Sequence, residues 1–455
     1  MKLEELNRLL SGAKNLYFIG IGGVSMSSLA AIAALRGYTV RGSDRTESPV
    51  TRELAAKGIT VFYGHDAKNV EGSDCVILTA AIPKENPERV RAAELGIPLL
   101  TRAEFLGWLM TGYVRRVGVA GTHGKSTTTS MLAEIYFAAE VDPTVVSGAA
   151  LNDMGGCYKI GGKEHFLFEA CEYTDSFLSF YPTTAVVTNV DFDHPDYFAD
   201  LEAVKNSFIR YTELAELSVM NADDANSVDC LQRSKTRAVT YGIENEADYT
   251  AKDLSYEDGC ASFTLTKGRM TLTRVSLRVP GTHNVYDALA ASAAAYENGI
   301  PAEAIAEGLF RFTGASRRFE RRGVLNGAVV YDDYAHHPGE IRATLATAKR
   351  MGKRVVCVFQ PHTFSRTAKL LEGFRTAFGD ADEVIFADIY AAREVNTYGV
   401  SAKGLAEMTA NGRYLGDLDA IAAYLKTTLT ENDLLIVMGA GDVIRLDRLL
   451  FPTEC

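Results

Sequence analysis

Short apolar runs alternate with helical patterns along most of the chain, and this alternation limits the possible folds more than any other feature. The first unit, NLYFIGIGGVSMSSLAAIAALRGYTVRGSD, is a strand, a glycine turn, an alanine-rich helix and a second strand. The runs VFYGHD, CVILTAAIP and IPLLTRAEF repeat the strand pattern and leave room for helices between them. Helices joining parallel strands make right-handed crossovers, so the sequence predicts an α/β fold with parallel sheets.

The pattern begins again twice, which predicts three domains. A strand, a glycine loop and a helix recur in VRRVGVAGTHGKSTTTSMLAEIYFAAE, followed by the strands HFLFEA, TTAVVTNV, ELSVMN and RAVTYG. The segment YTAKDLSYEDGCASFTLTKGRMTLTRVSLRV alternates in period two and predicts a small antiparallel patch. The third set of strands is AVVYDDYAHHP, KRVVCVFQPHTF, DEVIFADIY and DLLIVMGAGDVIRL. Because 455 residues are about three typical domain lengths, we predict α/β domains at residues 1–110, 111–318 and 319–455.

Composition and charge exclude several classes of protein. Hydrophobic residues make up 47% and charged residues 23% of the chain, and apolar stretches end within about ten residues, well short of the ~20 that span a bilayer. The formal net charge of −11 argues against a nucleic-acid partner. Because the N-terminus lacks the apolar run of a secretory signal and the seven cysteines include no CxxC pair, we expect a cytoplasmic protein with reduced thiols.

A glycine loop at residues 121–127 follows the apolar strand VGVA and opens a helix. In this setting backbone N–H groups and a helix N-terminus bind phosphates, a lysine neutralises the β and γ phosphates, and a hydroxyl ligates Mg²⁺. An ordinary glycine turn is the alternative, but the hydroxyl residues after the lysine make a poor helix start without a ligand. The residues predicted to bind phosphates are Gly121, Thr122, His123, Gly124, Lys125, Ser126 and Thr127.

Two candidate metal ligands lie at the C-terminal ends of predicted parallel strands. Glu169 ends HFLFE, and His194 lies just beyond TTAVVTNV. Ligand sites in open α/β sheets form at this edge, which also presents the phosphate loop. An oxygen of Glu169 and a nitrogen of His194 could hold Mg²⁺ against a triphosphate. The alternative, that Glu172, Asp191 or Asp193 binds the metal, is equally compatible with the residues alone.

Two loops of the third region carry most of its reactive side chains. The segment YDDYAHHP contains Asp333 and His336, and the segment QPHTFSR contains His362 and Arg366. Both segments follow strands, so we expect them to face one cleft. The imidazoles could act as general base, metal ligand or nucleotide clamp, and Arg366 could bind a carboxylate through two hydrogen bonds.

The glycine turn of the first unit, GIGGVS, is a weaker signal. With Asp44 at the end of the next strand it fits a dinucleotide site that binds NAD, and it equally fits any diphosphate at a helix N-terminus. The GxGxxG pattern is incomplete because Ser25 replaces the last glycine. An NAD-dependent oxidoreductase would use this turn and leave the GTHGKST loop unexplained.

Seven segments, taken in order, resemble the motifs of the Mur ligase family: GTHGKSTTTSM, EACEYTDSF, TNVDFDHPDYF, GTHNVYDALAA, RRFE, DDYAHHP and FQPHTFSRT. Near the start, FIGIGGVSMSSLA, GSD, GHD and RAEFLGWLM narrow the resemblance to members that ligate L-alanine to UDP-N-acetylmuramate. The resemblance covers nearly the whole chain, and DDYAHHP with FQPHTFSRT is its most specific part.

The resemblance implies a separate task for each domain. An N-terminal Rossmann-like domain would bind the UDP sugar, a central P-loop domain would bind ATP, and a C-terminal Rossmann-like domain would bring the amino acid. ATP would phosphorylate the lactyl carboxylate of UDP-N-acetylmuramate, and the amine of L-alanine would displace phosphate from the acyl phosphate, in peptidoglycan precursor synthesis. ATP and two Mg²⁺ ions are the implied cofactors, because a site that joins anions in an acidic protein needs local positive charge.

The family's ATP-site residues carry over to matching positions of this sequence. The resemblance implies that Ser126, Glu169 and His194 ligate the metal ions, which favours Glu169 among the carboxylates considered above. The residues implied to contact ATP beyond the 121–127 loop are Asn284, Arg318 and Asp333. The implied catalytic set is Lys125, Glu169, His194, Arg318 and His336.

The resemblance also implies the acceptor and sugar sites. His336, His362 and Arg366 would surround the acyl phosphate and the alanine carboxylate, and we hypothesise that His336 takes the amine proton. The residues implied to contact the UDP group are Gly22, Gly23, Ser25, Met26, Asp44 and His65.

Three positions depart from the family's pattern. Asp287 replaces the usual second asparagine after HN, and an aspartate can accept a hydrogen bond from the adenine amino group but cannot donate one. Thr363 replaces an arginine found in many members, so recognition of the alanine carboxylate would depend more on Arg366. Sibling ligases use a carbamylated lysine near the second metal, and Lys205 lies a few residues too early for that role.

Two further interpretations compete with the alanine ligase. A sibling ligase that adds a preformed peptide to UDP-N-acetylmuramate would share the ATP-site motifs and differ on the acceptor side. A non-catalytic nucleotide-binding regulator is the other, and the intact Lys125, Glu169 and His194 argue against it.

Overall fold

The computed structural model describes residues 1–79, 82–151, 154, 156–392 and 394–451. Within these ranges the strands form three sheets, one after another along the chain. None of the helices in the same ranges is long and apolar enough to cross a bilayer. The six cysteines of the described residues are free thiols, and Cys455 lies outside them.

The N-terminal sheet has five parallel strands in the order β3-β2-β1-β4-β5. Its strands are β1 (Asn15–Ile19), β2 (Thr39–Asp44), β3 (Thr60–Tyr63), β4 (Cys75–Leu78) and β5 (Leu99–Thr101). Its helices are α1 (Leu3–Leu10), α2 (Val24–Leu35), α3 (Pro49–Ala56), α4 (Pro87–Glu94) and α5 (Arg102–Met110), with a 3₁₀ turn at Ala67–Val70. The apolar β1 is central, and the strand order reverses beside it, which puts the GIGG turn at the place where such sheets bind ligands.

The central sheet has ten strands in the order β15-β14-β13-β12-β11-β10-β6-β9-β7-β8. The strands are β6 (Arg115–Ala120), β7 (Thr144–Leu151), β8 (Gly156–Lys159), β9 (His165–Glu169), β10 (Thr184–Val187), β11 (Leu217–Asn221), β12 (Arg237–Gly242), β13 (Tyr249–Glu257), β14 (Cys260–Lys267) and β15 (Met270–Pro280). The helices are α6 (Lys125–Ala138), α7 (Leu201–Thr212), α8 (Ala225–Arg233), α9 (Thr282–Glu297) and α10 (Ala302–Arg311), with a 3₁₀ segment at Tyr173–Ser179. Strands β13 to β15 form the antiparallel patch, and β8 pairs antiparallel with β7.

The C-terminal sheet has six strands in the order β16-β17-β21-β18-β19-β20, and β16 is antiparallel to its neighbour. The strands are β16 (Glu320–Leu325), β17 (Ala328–Asp333), β18 (Arg354–Phe359), β19 (Glu383–Ala387), β20 (Gly412–Gly416) and β21 (Asp433–Met438). The helices are α11 (Pro338–Arg350), α12 (Phe364–Lys369), α13 (Leu371–Ala377), α14 (Ala402–Met408), α15 (Leu418–Thr428) and α16 (Arg445–Leu450), with a 3₁₀ turn at Asp442–Ile444. Apolar clusters lie on both faces of this sheet, as expected for parallel strands covered by helices.

The predicted three-domain α/β fold is confirmed, including its parallel sheets and antiparallel patch. The β7–β8 hairpin and strands β16 and β20 are additional to the prediction, because their sequences are rich in small or charged residues. The boundaries near residues 110 and 318 stay a prediction.

Candidate active site

The phosphate loop lies between β6 and α6, at the C-terminal edge of the central sheet. Gly121 and Gly124 have φ angles of 142° and 82°, in the region that favours glycine. A Cβ built on Gly121 would lie 1.8 Å from the Thr188 hydroxyl oxygen, and one on Gly124 would lie 2.5 Å from Oδ1 of Asp287. Backbone conformation and space therefore both require glycine here.

Lys125, the first residue of α6, is folded back under the loop. Its ammonium donates to the carbonyl oxygens of Gly121 (2.5 Å) and Thr122 (3.1 Å) and lies 3.1 Å from Oε2 of Glu172. Burial lowers the pKa of Lys125, but the Glu172 carboxylate outweighs it and raises the pKa overall. The ammonium is therefore charged and already positioned at the phosphate loop.

Two of the predicted metal ligands are in direct contact. The Ser126 hydroxyl donates to Oε2 of Glu169 at 2.8 Å, and the same oxygen accepts from the Gly148 amide at 2.8 Å. A hydroxyl and a carboxylate at a phosphate loop are ligands that Mg²⁺ prefers, so this pair fits the ion. His194 lies on the far side of Glu172, with its Nε2 3.7 Å from Oε1 of that residue.

The three alternative carboxylates each have another partner. Glu172 pairs with Lys125, and Asp193 pairs with Arg366. Oδ1 of Asp191 accepts from the Phe192 amide at 2.7 Å. Glu172 remains within reach of a metal at His194, whereas Asp193 is committed to its guanidinium partner.

A cleft of about 800 Å³ opens between the central and C-terminal sheets. Six of the residues predicted to contact ATP line it: His123, Gly124, Thr127, Asn284, Arg318 and Asp333. The other four, Gly121, Thr122, Lys125 and Ser126, belong to the same loop and helix start. The structure therefore brings the predicted ATP residues together around one space.

Backbone contacts fix two of these side chains. Asp333 accepts from the amides of Phe319 (2.8 Å) and Ala335 (2.7 Å), and burial raises its pKa to about 6. Asn284 donates to the carbonyl oxygen of Pro280 at 2.7 Å. Both polar groups are therefore held at the wall of the cleft in defined orientations.

Asp287, which replaces the family's usual asparagine, lies beneath the phosphate loop. Its Oδ1 accepts from the Thr128 hydroxyl at 3.0 Å, and only 6% of the residue is exposed. Burial raises its pKa to about 7. A partly protonated Asp287 therefore supports the loop from below.

The two histidines of the C-terminal loops are close together, and the tautomer of His336 can be assigned. Nδ1 of His336 lies 3.0 Å from the Tyr334 carbonyl oxygen, which can only accept, so Nδ1 carries the proton and Nε2 has the free lone pair. Burial lowers the pKa of His336 to about 4. The His362 ring lies 5.8 Å from the His336 ring, and burial lowers its pKa to about 4 as well. Both rings are neutral at pH 7, which suits His336 to accept a proton at Nε2.

Arg366 is a contact between domains in this structure. Its Nε and Nη2 donate to the two carboxylate oxygens of Asp193 at 3.0 and 3.3 Å, and Nη1 lies 3.1 Å from Nδ1 of His362. Burial raises the pKa of Asp193, but the Arg366 guanidinium lowers it well below its usual range. Binding of the alanine carboxylate by Arg366 stays a prediction.

A second group of possible metal ligands joins the phosphate loop to the C-terminal sheet. Single ligand atoms of His123, Asp191 and His337 all lie within 4.8 Å of one another. Nδ1 of His337 accepts from the Gly339 amide, so Nε2 carries the proton and donates to the Phe192 carbonyl oxygen. His337 has no free lone pair, and the group does not fit a metal ion.

The predicted UDP-sugar residues surround the first glycine turn. The Gly22 amide donates to Oδ2 of Asp44 at 2.8 Å, and the Ser25 hydroxyl accepts from Arg102 at 2.8 Å. Nδ1 of His65 lies 2.9 Å from the fully buried Glu88. Gly23 caps α2, and Met26 is buried with its side chain in the core.

Sequence reasoning missed Glu88, Arg102 and Glu340 as parts of these sites. Glu340 had a detectable signal, because it stands three residues after His337, the spacing of a helix capping box. Arg102 opens the RAEFLGWLM segment, but its contact with Ser25 spans 77 positions of sequence, so no local pattern predicts that contact.

Three family models match the chain in succession. Residues 15–114 match the Mur ligase family catalytic domain, residues 119–295 the Mur ligase middle domain, and residues 317–441 the Mur ligase glutamate ligase domain. The UDP-N-acetylmuramate–L-alanine ligase of Clostridium novyi is 44% identical over 98% of this chain and 99% of its own length. The enzyme of the same name from Caldicellulosiruptor saccharolyticus is 45% identical over 95% of this chain and 97% of its own.

Solved structures that resemble nearly the whole chain include the following two. The UDP-N-acetylmuramate-alanine ligase of Thermotoga maritima has a TM-score of 0.80 and 29% identity, covering 96% of this chain and 98% of that one. A murein peptide ligase from Psychrobacter arcticus has a TM-score of 0.70 and 24% identity, covering 97% and 100%, a likeness of fold alone.

Proposed function

Because this chain belongs to the Mur ligase family, we propose that it is an ATP-dependent ligase joining L-alanine to the lactyl carboxylate of UDP-N-acetylmuramate. The products are the amide, ADP and phosphate, and the reaction serves peptidoglycan precursor synthesis in the cytoplasm. The observation that carries the proposal is 44–45% identity to L-alanine ligases over nearly the full length of both chains.

The first step forms an acyl phosphate. An oxygen of the lactyl carboxylate attacks the γ-phosphorus of ATP, and the bond to the bridging oxygen of ADP breaks. Lys125, Arg318 and the amides of the phosphate loop offset the negative charge that these anions bring together. Mg²⁺ held by Ser126 and Glu169, with a second ion at His194, would neutralise the phosphates further.

The second step forms the amide. The neutral amine of L-alanine attacks the acyl carbon, and phosphate leaves with the electron pair of the broken C–O bond. His336 takes the amine proton at Nε2, the nitrogen whose lone pair is free. His362 and Arg366 would lie beside the acyl phosphate and the alanine carboxylate.

The remaining assignments follow from this chemistry. The GIGG turn with Asp44 and His65 would bind the UDP group, because a diphosphate fits a helix N-terminus at a reversal of strand order. ATP would occupy the cleft lined by Asn284, Arg318 and Asp333.

Phosphate release from ATP, Mg²⁺ and UDP-N-acetylmuramate tests the proposal, with L-alanine, glycine, L-serine, an alanine-initiated tripeptide or no acceptor. We expect turnover with L-alanine to exceed that with glycine about 10-fold or more, because one methyl group in an apolar pocket gives discrimination of this size. Lys125→Met keeps the aliphatic stem, removes the charge and should abolish turnover with every acceptor. Preference for the tripeptide would assign the chain to the peptide-adding siblings, and no turnover with any acceptor would contradict a ligase.

A further inference from the structure

Glu340 is the third residue of α11 and is largely buried, with 13% of its side chain exposed. Its Oε2 accepts from the amides of His336 (3.0 Å) and His337 (3.2 Å) and lies 3.4 Å from Nδ1 of His336. One carboxylate oxygen therefore accepts from the backbone amide of the residue that carries the candidate base and lies close to its ring.

The other oxygen of Glu340 faces the nucleotide site. Oε1 lies 3.2 Å from Nδ1 of His123 in the phosphate loop and 3.8 Å from Nη1 of Arg318. Burial raises the pKa of Glu340, but its cationic neighbours, His336 once it is protonated together with His123 and Arg318, outweigh burial and lower the pKa well below its usual range. Glu340 in turn raises the pKa of His123 against the effect of burial.

We propose that Glu340 is a positioning residue that ties the base His336 to the phosphate loop. The proposal rests on the ligase reaction proposed above and gives a role to a residue to which the sequence motifs assigned none. When the alanine nitrogen bonds to the acyl carbon and phosphate leaves, the amine proton moves to Nε2 of His336. The imidazolium formed then has the Glu340 carboxylate 3.4 Å from its Nδ1.

The contact between Glu340 and His123 makes the position of His336 depend on how the C-terminal domain is docked. Oε1 reaches His123 only while the N-terminus of α11 is seated against the phosphate loop. The base is therefore held in place by a carboxylate that also contacts the loop that binds ATP. The titratable or charged groups that face His336 are Glu340, Arg366, Asp193, His362 and Tyr334. Those that face Glu340 are His336, His123 and Arg318.

The simpler role for Glu340 is that of a helix cap, and the chain offers a matched control for it. Glu104 is the third residue of α5 and caps that helix by accepting from the Thr101 amide (2.9 Å) and hydroxyl (2.8 Å). It belongs to a helix of the N-terminal domain and pairs with the N-terminal amine of Met1 at 2.7 Å. Glu104→Gln therefore neutralises a capping carboxylate away from the candidate base.

Hydroxylamine distinguishes positioning of His336 from helix capping. It is largely neutral at pH 7 and reacts with acyl phosphates without needing a base, so its reaction should not depend on His336. The full-length parent, Glu340→Gln, Glu340→Asp and Glu104→Gln are each compared for L-alanine-dependent phosphate release and for hydroxamate formation from UDP-N-acetylmuramate. We expect Glu340→Gln to lower kcat with L-alanine about 10–100-fold and to change the hydroxamate rate by about twofold at most. Glu340→Asp should recover part of the loss, and Glu104→Gln should behave as the parent.

The pH profile gives a second readout. Because the Glu340 carboxylate raises the pKa of His336, Glu340→Gln should move the acid limb of kcat with L-alanine to lower pH. In a His336→Gln background the same change should cost about twofold or less, since the base is already absent. Thermal unfolding identifies any variant that has lost its fold, and Glu340→Asp, which keeps the charge, then carries the comparison.

Two outcomes would overturn the inference, and they are distinguishable. Equal loss of the L-alanine and hydroxylamine reactions in Glu340→Gln, with an unmoved acid limb, would leave Glu340 as a helix cap in an active ligase. Failure of the parent to form either product would overturn the proposed function and the inference with it.

Discussion

The central sheet meets its two neighbours through surfaces of opposite character. Toward the N-terminal sheet the apolar core is continuous, and one cluster contains Phe18 and Phe105 as well as Phe166 and Phe180. Toward the C-terminal sheet the contacts are polar: Arg366 with Asp193, Glu340 with His123, and His337 with the Phe192 carbonyl oxygen. The core clusters of the C-terminal sheet contain none of the described residues of the central one.

We call the contact of the central sheet with the N-terminal domain the apolar joint, and its contact with the C-terminal domain the charged joint. The apolar joint should stay fixed, whereas the charged joint should respond to charge. Apolar burial is non-directional and does not change when an anion binds nearby. Ion pairs beside a phosphate loop do respond, because a bound triphosphate adds negative charge close to His123, Arg318 and Glu340. We therefore expect the N-terminal domain to stay attached through the cycle and the C-terminal domain to move with the nucleotide.

Breaking the charged joint should have the largest effect. Arg366→Met removes the partner of Asp193, whose residue is only 6% exposed, and an unpaired buried carboxylate costs about 3–5 kcal/mol. We expect kcat to fall by about 100-fold or more, because that free energy is lost from the docked state in which the reaction occurs. Steady-state kinetics with L-alanine measures the loss.

A double variant shows whether Arg366 acts through Asp193. If it does, Arg366→Met with Asp193→Asn removes both charges and should regain activity over Arg366→Met alone. A double variant as poor as the single one, with a raised KM for L-alanine, would instead assign Arg366 to the alanine carboxylate.

Breaking the apolar joint should affect stability more than catalysis. A Cβ built on Gly107 of α5 would lie 1.9 Å from the Ser179 carbonyl oxygen, so Gly107→Ala forces the two backbones apart. We expect a loss of about 1–3 kcal/mol in the free energy of unfolding and an unchanged KM for L-alanine. Gly12→Ala, where no atom lies within 4 Å, is the matched control in denaturant unfolding. An unchanged transition in Gly107→Ala would contradict a close-packed joint.

The sequence predicted the sheets better than the joints between them. Residues 117–120 of β6 and all of β21 (Asp433–Met438) are buried on both faces, so their apolar runs identify these strands directly. The hairpin of β7 and β8 was missed because Ser147, Gly148 and Ala149 carry little strand preference.

In the candidate site, too, the parts made by consecutive residues were predictable and the contacts between domains were not. The phosphate loop was predictable because consecutive residues make it, and strain at Gly121 and Gly124 requires the residue type seen. Arg366 and Asp193 are 173 positions apart, and their pairing depends on how two domains dock. The motif predicted that Arg366 binds a carboxylate, but only the docked domains show that its partner in this structure is Asp193.

The smallest expected effect is a pH dependence of folding stability that arises from Asp287. This residue lies beneath the phosphate loop, on the side of the central domain that makes the polar contacts. Its pKa is raised by burial from 3.8 to about 7, so the folded state binds more protons than the unfolded chain between these values. The stability this gives is fully present below pH 4 and is lost as pH rises through about 7. Asp287→Asn stays neutral and can still accept from Thr128, so it should escape this loss.

We therefore expect Asp287→Asn to raise the melting temperature by about 2–4 °C at pH 8 and to change it little at pH 4. Asp380→Asn, at an exposed position, controls for the loss of a surface charge and should show no pH-dependent difference. The KM for ATP at pH 8 should also fall, because a negative charge beneath Gly124 no longer opposes the phosphates. An equal shift at both pH values would mean that the introduced amide improves packing, and it would contradict a titrating carboxylate beneath the loop.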